Sequence, residues 1–208
     1  CFLVAVVASV LAPGRAHAGG CAGTISCGGP VTGTVDPIGE IDCHTFTGTA
    51  NEVVSIAIDS TTGGQFSPRW TLRRPGGASV GAGNFPDQRN LTLPEDGTYT
   101  IEVNDNSTTG TGDAIGTYTL TYTVVSDSAF SCAAALGCGD TVTASIPTPT
   151  GNDTYEFSAE AGEIASITSN EIGTGLSVGW ELYGPTGTSL VKSFVQRTVE
   201  LPNTGTYT

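Results

Sequence analysis

Apolar residues alternate with Thr, Ser or Gly along much of the chain, in short runs bounded by Gly, Pro, Asn and Asp. Val31-Thr32-Gly33-Thr34-Val35 and Thr117-Tyr118-Thr119-Leu120-Thr121-Tyr122-Thr123-Val124 show the two-residue period of a strand with one face buried. No segment of helical length carries a 3.6-residue apolar period, so the elements are predicted to be strands throughout. Within this alternation one strand, turn and strand is spelled twice. Asp42-Cys43-His44-Thr45-Phe46 leads to Asn51-Glu52-Val53-Val54-Ser55-Ile56, and Asp153-Thr154-Tyr155-Glu156-Phe157 leads to Gly162-Glu163-Ile164-Ala165-Ser166-Ile167.

The duplication extends over most of the chain. Cys21-Ala22-Gly23-Thr24-Ile25-Ser26-Cys27 matches Cys132-Ala133-Ala134-Ala135-Leu136-Gly137-Cys138 at an offset of 111, which holds through Ile56 and Ile167. Val31–Val35 matches Val142-Thr143-Ala144-Ser145-Ile146, so both are expected to be half-buried strands. Further on, Trp70-Thr71-Leu72 and Pro75-Gly76-Gly77 match Trp180-Glu181-Leu182 and Pro185-Thr186-Gly187. Leu93-Pro94 with Gly97-Thr98-Tyr99-Thr100 matches Leu201-Pro202 with Gly205-Thr206-Tyr207-Thr208. The fold class is therefore read as all-β: tandem antiparallel β-sandwich modules, the simplest home for many short strands with alternating faces. The first module is placed at residues 19–126 and the second at 127–208, joined near Ser126-Asp127-Ser128. The first copy continues through Ile101-Glu102-Val103 and the strand at 117–124, for which the second has no counterpart. The second is thus expected to be truncated, with an open edge and an incomplete core.

Composition supports strands over helices. The 208 residues include 29 Gly and 11 Pro, costly inside helices, and Thr, Val, Ile and Tyr suit a pleated surface. Phe2 to Ala12 is an apolar run too short to cross a bilayer, followed by Ala16-His17-Ala18. Residues 1–18 are read as the remnant of a secretory signal peptide, without initiator Met. A lipid-bearing Cys21 is the weaker alternative, because Ala18-Gly19-Gly20 lacks the large aliphatic residue expected upstream. The formal charge is −13, and −14 once Arg15 leaves with the leader. Such a surface repels phosphate backbones and anionic membranes, which argues against nucleic acid and membrane insertion. It leaves cations, neutral polysaccharides and extracellular proteins as partner classes.

The repeated pattern resembles the bacterial pre-peptidase C-terminal domain. The second copy carries the resemblance through Asp153, Tyr155, Phe157, Gly162, Glu163, Leu182, Tyr183, Pro185, Gly187, Gly205 and Tyr207. The first copy departs at His44, Asn51 and Arg73-Arg74. The resemblance implies a jelly-roll-like sandwich serving as a non-catalytic accessory module of a larger secreted protein; relatives include collagen-binding and calcium-stabilised forms. An accessory region of a secreted peptidase and a structural spacer or stalk are the alternatives.

Candidate chemistry is sparse. In an exported chain Cys-x5-Cys reads as a local disulfide, so Cys21–Cys27 and Cys132–Cys138 are the expected pairs, each closing a small loop. Zinc held by Cys21, Cys27, Cys43 and His44 is the alternative, disfavoured because the second copy lacks two of the ligands. Cys43 is the odd cysteine, unpaired or bridged elsewhere. It cannot act with His44, because adjacent strand residues point to opposite faces. His44 is expected to pack in the core. No Gly-x-Ser-x-Gly, His-Glu-x-x-His or phosphate loop is present, and Asp42 and Glu52 recur at the same turns in the second copy; no catalytic residue is assigned. Calcium is the one cofactor the pattern suggests, at Asn104, Asp105, Asn106 and Asp113, where oxygen ligands cluster between two strands; a solvated loop is the plain alternative. Asn90, Asn106 and Asn152 fit the glycosylation triplet, which a bacterial chain makes coincidental.

Overall fold

Each alternating run of the first copy forms a strand in a computed structural model, which describes residues 21, 23–62, 64–106, 114–126, 131–146, 152–172, 175 and 177–208. The leader read over residues 1–18 and most of the Ser126–Ser128 junction lie outside the described residues. The strands are β1 (Gly23–Thr24), β2 (Val31–Val35), β3 (Asp42–Gly48), β4 (Val53–Ser60), β5 (Pro68–Arg73), β6 (Ser79–Asn84), β7 (Asp87–Thr92), β8 (Gly97–Asp105) and β9 (Gly116–Val124). They form two sheets, ordered β1-β3-β8-β5-β6 and β2-β9-β4-β7. All pairs are antiparallel except β1 with β3. Phe46, Trp70, Tyr99 and Ile101 of the first sheet share one core with Ile56, Ile58, Tyr118 and Leu120 of the second. This is the sandwich that the alternation calls for. Trp70 and Tyr99 are fully buried, and side chains of that size each contribute about 2–3 kcal/mol by leaving water.

The second copy contains β10 (Ala134–Ala135), β11 (Tyr155–Ala159), β12 (Ile164–Ile167), β13 (Trp180–Tyr183), β14 (Ser189–Ser193), β15 (Arg197–Glu200) and β16 (Gly205–Tyr207). β10-β11-β16 and β13-β14 pair as separate ladders. They meet where Tyr183 and Thr208 exchange backbone hydrogen bonds of 2.7 and 3.1 Å. The combined order, β10-β11-β16-β13-β14, repeats β1-β3-β8-β5-β6. Likewise β12 pairs with β15 as β4 pairs with β7.

The copies agree at atomic detail. Glu52 accepts the Thr49 N–H at 3.1 Å, and Glu163 accepts the Glu160 N–H at 2.8 Å, so each Glu closes the turn before its strand. Asn51, at φ 70°, stands where the second copy has Gly162 at φ 88°. Asn is among the few side chains that tolerate that left-handed geometry, which accounts for the exchange. Tyr99 donates to the Glu95 carbonyl and Tyr207 to the Asn203 carbonyl, each at 2.6 Å. Phe46 stacks on Tyr99 at 5.5 Å and Phe157 on Tyr207 at 5.6 Å.

One predicted strand is not formed. Residues 142–146 carry no strand, although their alternation matches β2. In the first copy β2 pairs only with β9, and among the described residues the second copy has no strand of the β9 type. Alternation without a partner leaves backbone groups to water. The other edge of β12 carries no strand among the described residues. Ile164 is 71% exposed, whereas its counterpart Val53 is buried against Val125 and Tyr183.

Candidate functional site

The cysteines join differently from the sequence expectation. Cys21 bonds Cys43, with Cα atoms 4.9 Å apart, and Cys27 bonds Cys132, with Cα atoms 5.5 Å apart. Cys138 is free and exposed. The expected Cys21–Cys27 and Cys132–Cys138 loops are excluded by the strands between them. β1 runs parallel to β3, with Gly23 opposite His44, and continues through the bond from Ile25 N–H to the Thr45 carbonyl. An extended segment of that length separates its ends by roughly 15–20 Å, whereas a disulfide needs Cα atoms within about 7 Å. β1 thereby delivers Cys21 to the flank of β3, where Cys43 lies, and carries Cys27 to a turn at the far end. The second copy has Thr154 in place of Cys43, so Cys132 has no partner within its own copy and bonds Cys27 of the first. The zinc alternative is overturned by the same bonds, which occupy the sulfurs of Cys21, Cys27 and Cys43. Among the described residues no group of three His, Cys, Asp or Glu is placed to hold a metal.

The second disulfide lies in a wider seam between the copies. β9 ends beside it: Gly28 N–H donates to the Tyr122 carbonyl at 2.8 Å, and Cys132 follows Val124 by eight residues. Val53 and Val125 of the first copy pack with Tyr183 of the second. Tyr183 is also hydrogen bonded to the Asn90 side chain, and burial pushes its phenol up to about 12. Gly187, at φ 73°, turns so close to Val53 that a Cβ there would sit 2.5 Å from it. Two shallow concavities open to solvent flank the disulfide, one of about 390 Å³ beside Ile25, Phe46 and Tyr122, the other of about 170 Å³ beside Gly28, Asp153 and Tyr155. Sequence reasoning missed this seam. Its signal was a difference between the copies: Tyr183 stands where the first copy has Arg73, which is ion-paired with Glu102 at 2.7 Å.

His44 packs inward, as expected, and belongs to a chain of polar groups. Tyr118 donates to Asp42 Oδ2 at 2.9 Å, and His44 Nε2 lies 2.8 Å from the Tyr118 oxygen. Since the single phenol proton goes to Asp42, the imidazole donates through Nε2. Burial lowers the His44 pKa; it raises that of Asp42, against the Tyr118 hydrogen bond and with Glu40 adding to the rise. Cys43 points the other way, into its disulfide.

Asn104, Asp105 and Asn106 lie at the end of β8, while Asp113 is outside the described residues. Asp105 is buried, and its two oxygens accept the backbone N–H of Ser67 at 3.0 Å and of Ala114 at 3.1 Å. Asn104 donates to the Asp105 carbonyl. The carboxylate thus ties together the ends of the neighbouring loops. At the same end of the sandwich, where Val35 pairs with Gly116, Ile38, Ile41 and Ile115 are exposed.

No helix among the described residues is long and apolar enough to cross a membrane, which leaves β-barrels unaddressed. No family model matches the chain, and no curated protein matches it. Solved structures are similar to about half of it, three of them as follows. The pre-peptidase C-terminal domain of a collagenase from Bacillus anthracis is 17% identical, with a TM-score of 0.39, over 48% of this chain and 91% of that one. PliG, a periplasmic inhibitor of g-type lysozyme, is similar in two versions. That of Aeromonas hydrophila is 17% identical, TM-score 0.38, over 46% of this chain and 84% of its own. That of Salmonella Typhimurium is 14% identical, TM-score 0.38, over 50% and 99%.

Proposed function

We propose that the chain is a non-catalytic unit of a secreted protein, a spacer in which two β-sandwich modules are locked together. The observation that carries this reading is the Cys27–Cys132 disulfide between the copies, reinforced by Val53, Val125 and Tyr183. Closing a loop of 105 residues removes chain entropy worth about 4–5 kcal/mol in the loop-closure model. A flexible linker between independent modules needs no such bond. Two disulfides also fit folding in an oxidising compartment. The one histidine among the described residues is taken up by Tyr118 and Asp42, and the neighbouring Cys43 is bonded, so this group supports packing and not nucleophilic chemistry.

Small-angle scattering tests the reading. A Cys27→Ser, Cys132→Ser, Tyr183→Ala variant should show a larger radius of gyration and the scattering of two bodies on a hinge, with each module still folded. Scattering indistinguishable from that of the native chain would overturn it.

A second reading, engagement of an extracellular polysaccharide or protein, is favoured by the exposed Ile38, Ile41 and Ile115 at one end of the first sandwich. An apolar, loop-borne surface on a rigid scaffold is a common binding geometry. Retention of the chain on insoluble polysaccharide or collagen, reduced by Ile38→Ser with Ile41→Ser, supports it. Retention equal to that of an unrelated sandwich removes it.

A further inference from the structure

Three titratable side chains are strung between the two sheets of the first sandwich. Asp42 and His44 alternate along β3 and so share its inner face, and Tyr118 reaches them from β9 of the other sheet. The Tyr118 oxygen lies 2.9 Å from Asp42 Oδ2 and 2.8 Å from His44 Nε2. Tyr118 and Asp42 are buried, and the second Asp42 oxygen, Oδ1, is buried with no hydrogen-bond partner. A carboxylate with one bare buried oxygen is a costly anion.

The elements packed around the three bring little charge. On β8, Val103 stands opposite Asp42 and Ile101 opposite His44, both fully buried. On β2, Gly33 stands opposite Tyr118, so close that a Cβ there would sit 2.3 Å from the phenol oxygen. On β4 the residue opposite Tyr118 is Ser60, and on β1 the residue opposite His44 is Gly23. Glu102 stands opposite Cys43, on the other face of the sheet, and pairs with Arg73. Glu40, just before β3, is the further carboxylate that bears on the group, and its charge raises the pKa of both Asp42 and Tyr118. The second copy has Tyr155 at the position of His44, so the arrangement is no requirement of the repeat itself.

We propose that Asp42, Tyr118 and His44 form a proton wire, a pH-responsive device in which one proton taken up at the imidazole is passed through the phenol to the carboxylate. In the basic state Nε2–H donates to Tyr118, and Tyr118 donates to the carboxylate. On acidification a proton adds to Nδ1. The Nε2–H bond then breaks as its proton passes to the Tyr118 oxygen, and the phenol's own O–H bond breaks as that proton passes to Oδ2. The ring is left neutral with its proton on Nδ1, the phenol has exchanged one proton for another, and the carboxylate has become a carboxylic acid. Both hydrogen bonds remain with their directions reversed: Asp42 donates to Tyr118, and Tyr118 to Nε2. The group has taken up one proton and passed from one negative charge to none.

Burial favours this end state over an imidazolium facing a carboxylate. It raises the Asp42 pKa and lowers that of His44, so each side chain prefers its neutral form. Oδ1 becomes a bare carbonyl, which costs less than a bare carboxylate oxygen. Burial and the neighbouring Asp42 charge hold the Tyr118 proton firmly, so the phenol transmits without ionising. The tie between β3 and β9 is thereby kept on both sides of the transition. The wire lies within one sandwich and is independent of how the copies are joined.

Heteronuclear NMR of the intact 208-residue chain, titrated with acid, tests this; the His44 signals are those lost in His44→Gln. At high pH the ring proton should sit on Nε2. As pH falls it should move to Nδ1 while the ring stays neutral, in step with protonation of the Asp42 carboxyl, the two changes sharing one midpoint. Tyr118→Phe, which removes the bridging oxygen, should abolish the change of nitrogen and give ring and carboxyl separate midpoints. A native ring that passes from the Nε2 form directly to the doubly protonated form, with Asp42 still ionised, would overturn the proposal. So would a ring already protonated on Nδ1 at high pH, or a change of nitrogen that survives in Tyr118→Phe. If the Phe variant does not fold, the native titration decides alone.

Discussion

At the scale of the residue, buried polar groups hold loops and strands together. Asp105 illustrates this. Both of its oxygens accept backbone N–H groups, from Ser67 and Ala114, and a buried carboxylate accepting such bonds is worth about 1.5–3 kcal/mol for each. Asp105→Ala should lower the urea midpoint of the chain, with or without calcium. The calcium expectation at 104–113 separates from this role by chelation: if Asp105 acts through hydrogen bonds alone, EDTA leaves the melting temperature unchanged, and a fall would restore the ion. His44 gives a pH dependence with a defined sign. Its folded pKa is lowered from 6.5, so the unfolded chain binds the proton more readily. Stability from this group is full above 6.5 and is lost as pH falls through 6.5 toward the depressed folded value. Asp42, raised from 3.8, acts in the opposite sense: its contribution is present below 3.8 and lost as pH rises through the raised value. Melting followed from pH 7.5 to 5.5 should show a fall that His44→Gln reduces, because Gln keeps a donor for Tyr118 without titrating. An equal fall in the variant contradicts the assignment.

At the scale of the element, alternation and repetition made most strands legible. Trp70, Leu72, Phe46 and Asp42 face inward as their two-residue period requires. The turns recur because Glu52 and Glu163 close them in the same way. Two things were not legible, for one physical reason: a strand exists by virtue of a partner that its own residues do not name. Residues 142–146 have the pattern of β2 and no β9 to pair with. The cysteine pairing was hidden likewise, because a spacing of six reads as a small loop until the parallel pairing of β1 with β3 shows the segment to be extended. The Pro-x-Gly turn between β13 and β14 tests the seam at this scale. Gly187 and Gly77 are counterparts, both at positive φ, but a Cβ at Gly77 meets open space while one at Gly187 meets Val53. Gly77→Ala should cost about 1–2 kcal/mol from backbone strain alone. Gly187→Ala should cost more, and equal costs would argue against the contact.

At the scale of the whole molecule, the two copies of the repeat differ where they touch. What they share, the Phe and Tyr stacks, the Glu-closed turns and the five-strand order, belongs to the sandwich. What distinguishes them, Cys43 against Thr154 and Arg73 against Tyr183, decides how the copies are joined. The spacer account depends on that joining. Peptide mapping of the native chain, alkylated and digested without reduction, tests it most directly. The account predicts Cys21 linked to Cys43, Cys27 linked to Cys132, and Cys138 recovered alkylated. Recovery of Cys21 linked to Cys27 and of Cys132 linked to Cys138 would contradict it.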